Sequence, residues 1–276
     1  MPCMCKKLLS LIALFFASAI NVYAQKGIDG LIIAEKSFAA QAVQSNTRNA
    51  FLHYMDSADA VVFNGGRILN AYTTWHNALP NANKLIWQPV FAGIAQSGEL
   101  GFTTGPWQFK KATAQTVLAT GSYTTVWHLD SKGAWKFLVD IGTDDGVQPP
   151  ATDSVKKWVG KTIDDMETRD ALTIDRIFIQ QYATLKNDAF TAVVTADTWL
   201  NQPNQAAVTG LQNVTAAIQQ IPAGLSFEPV GGAVSASGDM VYVYGTVRHE
   251  AKIGNYLRIW QKTNGKFNIL LQTLQW

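Results

Sequence analysis

Cysteine is nearly absent from this 276-residue chain: there are two, Cys3 and Cys5, and both precede an apolar run over residues 8–20. That run, with Lys6-Lys7 before it and Val22-Tyr23-Ala24 ahead of Gln25, reads as an export signal over residues 1–24. Cleavage there removes both cysteines, so the mature chain has no thiol, disulfide or lipid-modifiable cysteine and must be held by its core alone. The expected location is periplasmic or secreted. No second stretch is long and apolar enough to span a bilayer, so no membrane attachment is expected after cleavage.

Charge is scarce too. Charged residues make up 15% of the chain, 22 basic against 20 acidic, and the two signal lysines account for the excess. A neutral mature chain has no electrostatic footprint for nucleic acid or an anionic membrane. The familiar catalytic patterns are missing as well. His53, His76, His128 and His249 have no metal-ligand spacing, so neither metal nor cofactor is expected. No Gly-x-Ser-x-Gly elbow occurs, and Asn64-Gly-Gly66 lacks the Lys-Ser/Thr of a phosphate loop.

What the chain does have is a repeat. Residues 85–105, LIWQPVFAGIAQSGELGFTTG, align without a gap with residues 225–245, LSFEPVGGAVSASGDMVYVYG, at a shift of 140 with six identities. Gly121-Ser-Tyr123-x-x-x-Trp127 with Gly133-x-Trp135 is echoed by Gly254-Asn-Tyr256-x-x-x-Trp260 with Gly265-x-Phe267. The chain is an internal duplication. Helical periodicity is expected over 28–46, 48–55 and 67–79, the last with Leu69, Tyr72, Trp75 and Leu79 on one stripe. β-branched and aromatic segments separated by turns follow over 84–95, 99–110, 115–129 and 134–141. Unit two repeats the order, with helices expected over 162–186, 190–194 and 210–221 and strands from 225 onward. The turn-rich stretch from Asp144 marks a linker over 144–160, between a first domain at 25–143 and a second at 161–276. Helices followed by a meander, twice, give an α+β fold.

This order, with SGELGFTTG, the GxYxxxW pattern and a closing GxWK, resembles the nuclear-transport-factor-2-like superfamily, in the branch related to ketosteroid isomerases and polyketide cyclases. The resemblance implies two tandem cone-shaped, cystatin-like units, each with N-terminal helices packed in a curved antiparallel sheet around an apolar pocket. It also implies pairing through the outer sheet faces, within one chain or in a homodimer. The fold hosts enzymes and binders alike.

Isomerase-type chemistry needs a carboxylate in an apolar cavity and a hydrogen-bond donor. The candidates are Asp140, His53 and Asp56. Strand alternation puts Asp140 on one face with Lys136 and Leu138. In unit two, Gln272 stands for Asp140 and Arg258 for Thr125, which weakens a shared acid–base mechanism. Arg258 reads as an anchor for an anionic ligand, as an arginine stacked on surface aromatics, or as one paired across the sheet with Glu250 or Glu228. Candidate pocket aromatics are Trp75, Trp87, Trp107, Tyr123 and Trp127, then Tyr244, Tyr256 and Trp260, with Arg258 among them. The expected function is binding of a small apolar or amphipathic ligand, or of a partner, in an aromatic-lined cone without turnover. The alternative is an isomerase, dehydratase or cyclase with only the first domain active.

Overall fold

The structure is a computed structural model that describes residues 26–114, 116–146, 154–163 and 169–275. The expected signal segment at 1–24 lies outside the described residues.

Unit one opens with α1 (Gly27–Gln44) and α2 (Thr47–Tyr54), followed by β1 (Val61–Asn64), β2 (Arg67–Asn70) and α3 (Ala71–His76). Its sheet continues with β3 (Lys84–Trp87), β4 (Phe91–Ile94), β5 (Leu100–Lys110), β6 (Val117–Leu129), β7 (Trp135–Asp144) and β8 (Lys156–Val159). Unit two has α4 (Ala171–Leu185), α5 (Asn187–Thr191), β9 (Val194–Asn201), β10 (Val208–Thr209) and α6 (Leu211–Ile218). It closes with β11 (Ser226–Val234), β12 (Met240–His249), β13 (Lys252–Thr263) and β14 (Lys266–Gln275). The fold is α+β: two tandem cone-shaped units, each with its helices packed in a curved sheet.

Strand order is β2-β1-β7-β6-β5-β4-β8 in the first sheet, with β3 also on β5, and β10-β9-β14-β13-β12-β11 in the second. The long central strands pair antiparallel, while β1–β7, β4–β8 and β9–β14 pair parallel. Matched glycines permit the curvature. A Cβ on Gly105 would lie 2.0 Å from the Gln88 carbonyl oxygen, and one on Gly245 2.0 Å from that of Glu228. The strands can cross this closely only without side chains there.

Several local expectations need correction. Residues 67–70 form a strand rather than the start of a helix, because Val62 and Phe63 pair with Leu69 and Ile68 in a hairpin turned by Gly65 and Gly66, both at positive φ. The helix that follows has six residues, and the expected stripe ends with Leu79 86% exposed. The 84–95 strand is interrupted around Pro89, which has no N–H to donate. Within the stretch expected as a linker, β8 joins the first sheet beside β4.

The outer faces of the two sheets pack on each other. Phe91, Phe102, Val126, Val139 and Ile141 of unit one form one buried cluster with Tyr242, Leu257, Ile259, Leu270 and Leu271 of unit two. Between them, Asn201 Nδ2 donates to Thr104 Oγ1 at 2.9 Å and to Thr124 Oγ1 at 3.1 Å, and the Thr124 and Thr273 hydroxyls are 2.7 Å apart. At one edge, Ser97 and its own repeat counterpart Ser237 hydrogen-bond through their hydroxyls at 2.7 Å. Each backbone N–H also donates to the other hydroxyl. A residue touching its own equivalent is the signature of a two-fold relation between the units.

Candidate functional site

The interior of each cone is organised by a carboxylate that sequence reading missed. Glu35 lies on α1 between Leu31 and Phe38, on the face turned to the core, and is fully buried. Its Oε1 accepts from Trp87 Nε1 at 2.5 Å. Its Oε2 accepts from Trp127 Nε1 at 3.1 Å and from the Thr103 hydroxyl. Burial pushes its pKa up from 4.5 to about 7, against the lowering effect of the Thr103 and Trp87 hydrogen bonds.

The same station in unit two holds Asp175, 140 residues on and also fully buried. It accepts from Arg258 Nη1 at 2.8 Å, Trp260 Nε1 at 3.2 Å and Tyr256 Oη at 2.7 Å. Aspartate is one methylene shorter than glutamate, and Arg258 fills the space in front of it. The guanidinium carbon is 4.4 Å from the centre of the Phe227 ring, 4.5 Å from Tyr256 and 4.6 Å from Phe178. Arg258 Nε also donates to Gln272 Oε1 at 2.6 Å. Arg258 is therefore neither a free anion anchor nor a surface group paired with Glu250 or Glu228. It is 0% exposed, and its charge partner is Asp175. Cone two is plugged by its own side chains.

Cone one has no such plug, since Thr125 stands where Arg258 does. The register makes the equivalence explicit: Thr125 faces Thr103 and Asp140, as Arg258 faces Val243 and Gln272. A cavity of about 200 Å3 remains, lined by Phe51, Leu85, Trp87, Trp107, Tyr123, Asp140 and Gly142. Asp140 Oδ2 accepts from the Thr125 hydroxyl at 2.8 Å. Desolvation raises the Asp140 pKa from 3.8 to about 6, and the Thr125 hydrogen bond opposes that rise. The Tyr123 hydroxyl is buried and makes no hydrogen bond of ordinary geometry among the described residues. Its pKa lies well above the usual phenol value, chiefly through burial and then through the charges of Glu35 and Asp140.

Asp140 reaches the cavity because simple alternation fails. Val126 pairs with Val139 but Trp127 pairs with Phe137, so Leu138 is an extra residue in β7. Trp135 and Phe137 point into cone one, the bulge reverses the phase, and Val139 and Ile141 face the other sheet. Asp140 thus shares no face with Lys136, whose Nζ caps the His53 carbonyl oxygen at 2.5 Å. Unit two repeats the device at Leu270, between Ile269 and Leu271. Bulges commonly re-aim side chains in this way.

The other candidates scatter. His53 is exposed at the end of α2. Asp56 closes a turn by accepting the N–H groups of Ala58 and Asp59 and sits 3.0 Å from His128 Nε2. Partial burial works against its charge, but those N–H groups and His128 hold its pKa below the usual value. Neither residue lines the cavity. Trp75 stacks on Phe51 at 4.1 Å and lines a separate surface recess, and Trp127 is core. Tyr244 faces unit one, edge-on to Phe63 at 5.8 Å, outside cone two. Tyr256 and Trp260 belong to the plug. A larger hollow of about 560 Å3 lies outside the cones between β8 and the β13–β14 turn, walled partly by the exposed Lys157, Lys161 and Asn264. No metal-ligand cluster and no helix long and apolar enough to cross a membrane occur among the described residues.

No family model and no curated protein match the chain. Solved structures do. A nuclear-transport-factor-2-like protein of unknown function from Shewanella oneidensis is 16% identical, covering 37% of this chain and 93% of that one at a TM-score of 0.32. A similar protein from Pseudomonas putida is 18% identical, covering 40% and 89% at a TM-score of 0.33. One from Parabacteroides distasonis, provisionally described as a ketosteroid isomerase, is 11% identical, covering 38% and 83% at a TM-score of 0.32.

Proposed function

We propose that the chain is an exported binding protein with one working cone. Unit one takes a small amphipathic molecule into the cavity beside Asp140, and unit two serves as a filled, structural counterpart. The carrying observation is the contrast beside one register position: Asp140, paired with Thr125, lines a cavity in cone one, where the buried Arg258, paired with Gln272, fills cone two. Aromatic walls with a few convergent polar groups are the usual make-up of a ligand site. The volume is below the usual range of drug-sized pockets, which restricts the occupant to a single ring or a short chain. Gly142 lines the cavity, and a Cβ there would meet Trp107 Nε1 at 3.4 Å, an ordinary contact. Gly142→Leu should therefore fill the cavity while the fold is kept. The test is ligand-observed NMR of a small-fragment collection against wild type and this variant. Fragments that bind both equally well refute the assignment.

A second reading, proton transfer next to a carbonyl, is favoured by the half-buried Asp140 with its raised pKa beside the buried Tyr123 hydroxyl. Under it, Asp140→Asn abolishes turnover while leaving substrate affinity within a small factor. Under the binding reading there is no turnover to lose.

A further inference from the structure

The duplication supplies an internal comparison that points to the chemistry of the ligand. In cone two the interior carboxylate is met by a cation, and that cation is sandwiched among rings. Three of the rings around the Arg258 guanidinium have repeat counterparts in cone one: Phe227 corresponds to Trp87, Tyr256 to Tyr123 and Phe178 to Phe38. The carboxylate has its counterpart in Glu35, and the amide of Gln272 is replaced by a second carboxylate, Asp140. Of these counterparts Trp87, Tyr123 and Asp140 line the cavity, while Phe38 and Glu35 lie behind it, so the space keeps two of the rings, gains a carboxylate and lacks the cation. Among the described residues, no Lys, Arg or His lines the cavity.

A second observation converges on the same place. Tyr256 Oη donates to Asp175, whereas Tyr123 Oη, on a residue 6% exposed, makes no hydrogen bond of ordinary geometry among the described residues. Asp140 has one oxygen on Thr125 and the other without a protein hydrogen bond among the described residues. A guanidinium or ammonium head offers N–H groups to both oxygens, and its charge is attracted by the ring faces around it.

We propose that cone one binds a small organic cation, a guanidinium or protonated amine on a short apolar tail. Its head lies against Asp140 and Tyr123, and its flanks rest on Trp87 and Trp107. The inference rests on the reading of cone one as an open ligand site and adds the charge of the occupant. The ligand would do in trans for cone one what Arg258 does in cis for cone two.

The test compares n-propylguanidinium with n-propylurea, a neutral molecule of nearly the same shape, by ligand-observed NMR and calorimetry on the full chain. The expected result is a preference for the cation of at least about tenfold. That preference should collapse toward unity in Asp140→Asn, and its loss with rising salt should be slight because the pair is screened from solvent. Thr125→Arg, which writes the cone-two plug into cone one, should lose both ligands. If propylurea binds as tightly as propylguanidinium, the cone takes ligands but the cation assignment is overturned. If the preference survives in Asp140→Asn, the charge partner is wrongly assigned. If neither probe binds wild type at millimolar concentration, this inference and the open-cone reading fail together.

Discussion

Glu35 and Asp175, 140 residues apart, hold the same station in their cones: each accepts an indole N–H, from Trp127 at 3.1 Å and from Trp260 at 3.2 Å. One methylene separates the two side chains, and the environments built around them differ in charge. Asp175 is neutralised by Arg258. Glu35 is surrounded by neutral donors and shares its cone with Asp140.

Removing the charge of Asp175 should therefore be far more damaging than removing that of Glu35. Asp175→Asn strands a guanidinium that is fully buried. The expected loss is about 3–5 kcal/mol in urea unfolding. Adding Arg258→Met, which replaces the stranded charge by an apolar chain, should recover most of it. A single-variant loss below about 1 kcal/mol would mean that the pair contributes little.

Glu35 should shape the pH dependence of stability. Its folded pKa is about 7 against 4.5 for the free side chain, so between those values the folded chain keeps a proton that the unfolded chain releases. Stability is therefore greatest below the lower value, falls as pH rises through the window, and levels off above the upper one. The total for this group is about 3 kcal/mol. Glu35→Gln should flatten that slope, read as unfolding midpoints from about pH 5 to pH 8. An unchanged slope would place the titrating group elsewhere.

The recurrence at a shift of 140 and the run of helices before long strands were legible from spacing and turn residues, because those signals are local; the strand β8 inside the stretch expected as a linker was not. The aim of individual side chains was not. The extra residue Leu138 reverses the phase of β7, and no alternation rule foresees it from Trp135-Lys-Phe-Leu-Val-Asp140 alone. Tyr244 and Tyr256 look alike on strands, yet one faces the opposing sheet and the other the cone. Glu35 was findable: it falls four residues after Leu31 and three before Phe38, a charge inside an apolar stripe, and the repeat shift carries it onto Asp175. A carboxylate matched across a duplication on the buried face of a helix is a site signal. It goes unnoticed when the alignment is confined to the strands.

The sheet-to-sheet packing should make the two cones unfold as one. Phe102 is fully buried in the shared cluster. Phe102→Ala should cost about 3–5 kcal/mol. Native-state hydrogen exchange of the slowest backbone amides in β6 and in β13, followed in the otherwise unchanged chain, should then show the same loss of protection. A loss confined to β6 would show that the cones are energetically independent.

The most direct measurement of the central claim is the number of ligands per chain, read by native mass spectrometry at saturating concentrations of a cavity-binding fragment. An open cone one beside a plugged cone two predicts one ligand per wild-type chain and none in Thr125→Arg. Two ligands per chain, or one retained in Thr125→Arg, would contradict the account.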